Sequence, residues 1–252
     1  MDKQTRNAMA ARVARDIPEG AYVNLGIGLP TLVANHLPAD KDIFLHSENG
    51  VLGRWTGAKP GEEDWDMINA GKEPISLAPG AAFFHHADSF GMMRGGHLDI
   101  CVLGAFQVAA NGDLANWHTG APDAIPAVGG AMDLAIGAKR IFVMMEHLAK
   151  NGESKLIERC TYPLTGIGCV SRVYTDLATL EITAEGVQVL ELVGETTAET
   201  LQAVTPIPLD FSTLPDRPRA RPEPKRRARP GQLRLRSPPW PTTIPEPGTR
   251  AT

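Results

Sequence analysis

The sequence predicts an α/β fold: one domain with a mostly parallel or mixed central sheet flanked by helices. Short apolar, β-rich runs alternate with segments of helical period, and glycine turns join one to the next. No internal repeat or heptad pattern competes with that reading.

Each element follows from local chemistry. TRNAMAARVARDI (5–17) repeats small and apolar residues at helical spacing and stops before Pro18, Glu19 and Gly20, a helix followed by a turn. AYVNLGIG (21–28) is a short strand broken by glycines, and LPTLVANHL is a second helix entered through Pro30. DIFLH (42–46) is a strand that delivers Ser47, Glu48, Asn49 and Gly50 at its carboxyl end, the edge where open α/β sheets collect their ligands. Residues 54–71 are polar and turn-like and are expected to be a surface loop. HLDICVLGAFQV (97–108) carries two buried strand pieces, ended by the Asn111–Gly112–Asp113 turn. A helix over 131–138 and a strand over 141–146 follow, and CVSRVYTDLATLEI and GVQVLELV complete the strands.

Composition divides the chain. Residues 1–211 carry 15 Lys and Arg against 26 Asp and Glu, a net −11, and an acidic body is poorly suited to gripping nucleic acid. Residues 212–252 carry 10 against 3, a net +7, with 10 of the 21 prolines. That tail has no apolar period with which to offset the entropy of ordering. It is expected to be disordered or held only by a neighbour, and polyanion binding is the functional alternative. No apolar run approaches the length of a membrane span, the charged start is unlike a secretory leader, and Cys101, Cys160 and Cys169 lack disulfide or zinc spacing. A reducing cytoplasm is the expected compartment.

The candidate chemistry is sparse. His85 and His86 invite a metal, but adjacent side chains diverge on a strand and on a helix, and no HxxxH or CxxC frame supports one, so no metal site is expected. Ser47 lies in no GxSxG elbow. Glycine clusters end at Gly28, Gly96 and Gly130, each either a tight turn or a place where backbone amides can meet an anion. Asn24, Asn49 and Asn116 add neutral amides. On residues alone Glu48 is either a solvated turn acid or a catalytic carboxylate.

The strings YVNLGIGLPTLVAN, LHSENGVLG, GEEDWDMINAGK, FFHHADSFGMMRGGHLDICVLGAFQV, GDLANW, VGGAMDLAIGAKR and GESKLIERCTYPLTG decide between them. From about Arg6 to Phe211 they resemble, in order, the B (beta) subunit of the family I coenzyme A transferases for 3-oxo acids. The stretch from Asn116 to Gly130 is most similar to members acting on 3-oxoadipate; members acting on acetoacetate usually have a proline-glycine-lysine stretch there.

The resemblance implies a CoA-transferase-like fold over 1–211, with 212–252 as an appended tail. It implies that Glu48, in SENG, is the nucleophile that carries coenzyme A as a glutamyl thioester. Asn24, Gly129 and Gly130 would form the oxyanion pocket, with Asn49 beside it. It implies transfer from succinyl-CoA to a 3-oxo acid without a resident cofactor, and a separate A (alpha) subunit in an A₂B₂ assembly. The distal carboxylate of a diacid needs a cation or amides, and His118 and Arg94 are candidates; capping a helix or binding a backbone carbonyl is the competing role for Arg94. An acyl-CoA hydrolase of the same fold and a protein acting through its tail are the alternatives.

Overall fold

A computed structural model describes residues 1–126 and 129–214. The chain runs through α1 (Lys3–Asp16), β1 (Tyr22–Leu25), a 3₁₀ helix (Leu29–His36), β2 (Phe44–Ser47), β3 (Val51–Gly53), β4 (Trp55–Gly57), β5 (Ile75–Leu77), β6 (Ala82–Phe83) and α2 (His86–Arg94). It continues through β7 (Ile100–Gly104), β8 (Gln107–Ala109), β9 (Leu114–Ala115), α3 (Ala131–Gly137), β10 (Arg140–Met144) and β11 (Leu156–Ile157). The last elements are β12 (Val170–Tyr174), β13 (Ala178–Thr183), β14 (Gly186–Leu192), α4 (Ala198–Ala203) and β15 (Leu209–Asp210).

Ten strands form one mixed sheet in the order β15-β14-β13-β12-β10-β7-β1-β2-β3-β6. From β12 to β2 all neighbours are parallel; the β12–β13–β14 meander and the β2–β3–β6 end are antiparallel. β8, β9 and β11 make a second small sheet, and β4 and β5 a third.

The period-2 pattern of the central strands assigns each side chain to one of two cores. Ile100 and Val102 of β7, with Phe142 and Met144 of β10, join Met9, Val13 and Ile17 of α1 on one face. Cys101 and Leu103, with Ile141 and Val143, join Met93 of α2 and Leu134 of α3 on the other. Both faces of the parallel strands are therefore buried, which is why they read as nearly continuous apolar runs.

Some expectations need correction. The helix entered through Pro30 is present and is of the 3₁₀ type: the Thr31 amide and hydroxyl both donate to the Gly28 carbonyl three residues back, at 3.1 and 2.7 Å. The supposed loop 54–71 begins with β4, because Trp55 has a large apolar surface and is buried. The histidine pair starts a helix: His85 caps α2, its Nδ1 accepting from the Ala87 amide at 3.1 Å. Gly95 and Gly96 end that helix, their amides donating to Gly91 and Met93, so this glycine cluster makes no pocket. β3, β5, β6, β9, β11, α4 and β15 are additional to the elements read from the sequence. Residues 212–214 still rest on the body, where the Thr213 hydroxyl donates to the Val189 carbonyl at 2.7 Å. The remainder of the expected tail lies outside the described residues.

Candidate active site

Four adjacent parallel strands end along one edge of the sheet, and the segments that follow them line a single cleft of about 850 Å³. Gly26 to Gly28 follow β1, Glu48 follows β2, Ala105 and Phe106 follow β7, and Met145 and Glu146 follow β10. Gly129 and Gly130, leading into α3, close it from the side.

The turn after β2 exposes one side chain and commits the others to scaffold. The Ser47 hydroxyl accepts the Ala70 amide at 2.9 Å, Asn49 donates to the Ile68 carbonyl at 2.7 Å, and the Gly50 amide closes the turn onto the Ser47 carbonyl at 2.9 Å. Gly50 has φ +104°, and a Cβ there would strike the Phe84 carbonyl, so only glycine fits. Glu48 alone is left to face the cleft. Its carboxylate lies against Gly130, where an added Cβ would stand 3.0 Å from the carboxyl carbon. The amides of Gly129 and Gly130 donate to no backbone carbonyl among the described residues.

Burial pushes the Glu48 carboxyl above its ordinary pKa; nearby His86 pulls it back and Asp133 pushes it up. A partly desolvated carboxylate is less stabilised by water and hence more reactive toward a carbonyl.

Behind Glu48 runs a buried polar chain. Asn24 and His46 are register partners on β1 and β2, and Asn24 Nδ2 donates to His46 Nδ1 at 3.1 Å and to its carbonyl at 3.2 Å. Because Asn24 donates, Nδ1 accepts and the imidazole proton sits on Nε2, which is 2.9 Å from the Ser89 hydroxyl. Ser89 in turn points to the Ser47 carbonyl at 3.5 Å, and the Cys101 thiol lies 3.7 Å from Asn24 Oδ1. Burial lowers the His46 pKa to about 4, so the ring is neutral.

The sequence-derived candidates therefore separate. Glu48, Gly129 and Gly130 meet at the cleft. Asn24 does not line it; its amide is spent on His46. Asn49 is spent on Ile68. Arg94 crosses from α2 to α3 and pairs with Asp133 at 2.7 Å, while His118 accepts the Gly120 amide at 2.8 Å and packs against Trp117. Neither belongs to the cleft lining. Asn116 does line it, donating to the Gly104 carbonyl at 3.1 Å. The sequence reading did not single out His46 and Ser89 as partners, or Arg6 and Lys155, which also line the cleft. Sequence adjacency of His46 to the SENG turn was the available signal for the first; nothing local marks the others. Cys160 and Cys169 have thiols pushed up to about 11 by burial, which makes them poor nucleophiles. Among the described residues no cluster of His, Cys, Asp and Glu could hold a metal ion, and no helix is long and apolar enough to cross a membrane.

A family model for coenzyme A transferases matches residues 6–206. This chain belongs to the coenzyme A transferase family. The B subunit of the 3-oxoadipate CoA-transferase of Pseudomonas putida is 67% identical over 207 residues, 82% of this chain and 97% of that one. The B subunit of the succinyl-CoA:3-ketoacid coenzyme A transferase of Helicobacter pylori is 52% identical over 189 residues, 74% of this chain and 89% of that one. An acyl-CoA transferase crystal structure from Escherichia coli O157:H7 superposes with TM-score 0.65 at 20% identity, covering 85% of this chain and 44% of that chain. The transferase fold thus extends to chains about twice as long, in which the present one corresponds to less than half.

Proposed function

We propose that this chain is the B subunit of a 3-oxoadipate coenzyme A transferase. With a separate A subunit, in an A₂B₂ assembly, it moves coenzyme A from succinyl-CoA to 3-oxoadipate. The observation that carries the reading is the Glu48 carboxylate held on Gly130 at the carboxyl edge of the sheet, in a chain most of which matches transferase B subunits.

The Glu48 carboxylate attacks the succinyl thioester carbonyl, expelling the coenzyme A thiolate and leaving a succinyl–glutamyl anhydride. The thiolate attacks the glutamyl carbonyl and expels succinate, leaving a glutamyl thioester. The 3-oxoadipate carboxylate attacks that thioester, again releasing the thiolate and forming a second anhydride. The thiolate then takes the 3-oxoadipyl group, and Glu48 returns as a carboxylate. Thioester replaces thioester at each full cycle, so no outside energy is required, and an ionised carboxylate needs no general base. Each addition creates an oxyanion, and the amides of Gly129 and Gly130, which donate to no backbone carbonyl among the described residues, are the donors at hand; losing one such donor typically costs about 10²–10³-fold in rate. Asn24 acts one layer back, fixing His46 and through it the strand end that carries Glu48.

Acetoacetate is the second candidate acceptor, favoured by the similarity to the Helicobacter pylori protein. The higher identity to the Pseudomonas putida protein supports 3-oxoadipate. Incubation of the assembled complex with succinyl-CoA, followed by mass analysis or borohydride trapping, tests the mechanism. The adduct is expected on Glu48, and Glu48→Ala is expected to abolish transfer without unfolding the chain. Exchange that proceeds with position 48 unlabelled would reject it.

A further inference from the structure

The far end of the cleft gathers positive charge in an otherwise acidic body. Lys155 and Arg6 line it beside Glu146 and the terminal amine of Met1. Glu146 is already engaged, its carboxylate 2.5 Å from that amine. Asp176, the other acid whose charge reaches Lys155, accepts the His147 amide at 2.7 Å. The side chains of Lys155 and Arg6 have no hydrogen-bond or ion-pair partner among the described residues. Lys155 is half-buried, and burial lowers its pKa while the charges of Glu146 and Asp176 pull it back up, so its ammonium is short of water and lacks a direct ion pair among the described residues.

Its location is set by the backbone. The Lys155 amide donates to the His147 carbonyl, and the Val108 amide donates to the Lys155 carbonyl, both at 2.9 Å. These bonds hold the residue between β8 of the small sheet and the segment that follows β10. Glu48 follows β2, which lies three strand spacings from β10, about 14 Å along the sheet edge. A six-carbon diacid together with the reach of the glutamate and lysine side chains spans such a distance.

We propose that Lys155, flanked by Arg6, is the specificity-determining subsite for the distal carboxylate of the dicarboxylic acyl group, while the other end of that group reacts at Glu48. This rests on the transferase reading above. Both diacids of the reaction, succinate and 3-oxoadipate, present such a carboxylate, and a mono-acid such as acetoacetate does not. An ammonium short of partners accepts the charge, while an uncharged acyl end leaves it unpaired.

The test uses the assembled complex with its A subunit. Glutamyl thioester is formed with succinyl-CoA or with acetoacetyl-CoA, and the single-turnover rate of its consumption is measured with 3-oxoadipate and with acetoacetate. Lys155→Gln is expected to lower the 3-oxoadipate rate about tenfold or more at subsaturating acceptor and to change the acetoacetate rate by less than about twofold. It should also raise the concentration of succinyl-CoA, but not of acetoacetyl-CoA, needed for half-maximal loading. Lys155→Arg should recover part of the 3-oxoadipate rate. Equal effects on diacid and mono-acid, or no effect, overturn the subsite; equal effects on the two donors assign Lys155 to the coenzyme and overturn it as well. Failure of the unmodified complex to form the thioester removes the transferase mechanism and the subsite together. If Lys155→Gln does not assemble, Arg6→Gln is read the same way: selective loss supports the subsite and its absence overturns it.

Discussion

Gly130 is the floor on which the Glu48 carboxylate rests, so close that even a methyl group would stand 3.0 Å from the carboxyl carbon. Gly130→Ala should displace Glu48 while α3 still forms: Gly130 is the helix N-cap at φ −85°, a conformation open to alanine, and the weaker cap costs about 1 kcal/mol or less. Transfer should fall by about 10²–10³-fold, the scale of losing an aligned group at a developing oxyanion. Steady-state rates of the assembled complex, with circular dichroism as the folding control, check this. Near-normal turnover would show that the carboxylate does not use this contact.

Glu48 should cost the fold stability wherever it is ionised. Its folded pKa is raised, so the unfolded chain releases the proton first, and the carboxyl's contribution is fully present below about 4.5 and lost as pH rises through the folded value. Glu48→Gln should therefore raise Tm at neutral pH, and the gain should vanish as pH falls below 4.5. A variant that is less stable than its parent at neutral pH would contradict the desolvation account.

His46 should act in the opposite sense. Its folded pKa is about 4 against 6.5 for the free side chain, so the unfolded chain binds the proton preferentially between those values. Stability is complete above about 6.5 and declines as pH falls toward 4, by on the order of 3 kcal/mol. Denaturant titrations across that window should lose the decline in His46→Gln. An unchanged slope would mean that the ring is more open to water than its burial indicates.

Asn24→Ala should destabilise the chain by about 1–3 kcal/mol, because His46 Nδ1 loses its donor in a site closed to water. In the complex kcat should fall while KM for the acceptor holds, because no group leaves the cleft lining. A loss confined to KM would place Asn24 against substrate instead.

Asp133 pushes the Glu48 pKa up and is itself paired with Arg94. Asp133→Asn should move the acid limb of the kcat/KM profile to lower pH, and Arg94→Gln, by leaving Asp133 unpaired, should move it higher. Neither should alter the preference for a diacid. A changed preference in Arg94→Gln would return that residue to the substrate.

The sequence by itself determined the layered α/β architecture, because the short, nearly continuous apolar runs at 100–104 and 140–144, set between helical segments, suit strands covered on both faces. It also placed Glu48, in a Ser-Glu-Asn-Gly turn after a strand, at the sheet's carboxyl edge, and left open whether that acid is a solvated turn residue or a catalytic one. The glycine and asparagine candidates could not be ranked from their spacing: whether an amide faces a pocket or is spent on a neighbour depends on which strands lie side by side. Tertiary structure decided that Asn24 meets His46 in register, that Arg94 is spent on Asp133, and that Lys155, 107 positions beyond Glu48 in the chain, shares its cleft. Contacts between strands distant in sequence leave no periodic trace along it, and only the folded packing makes them visible.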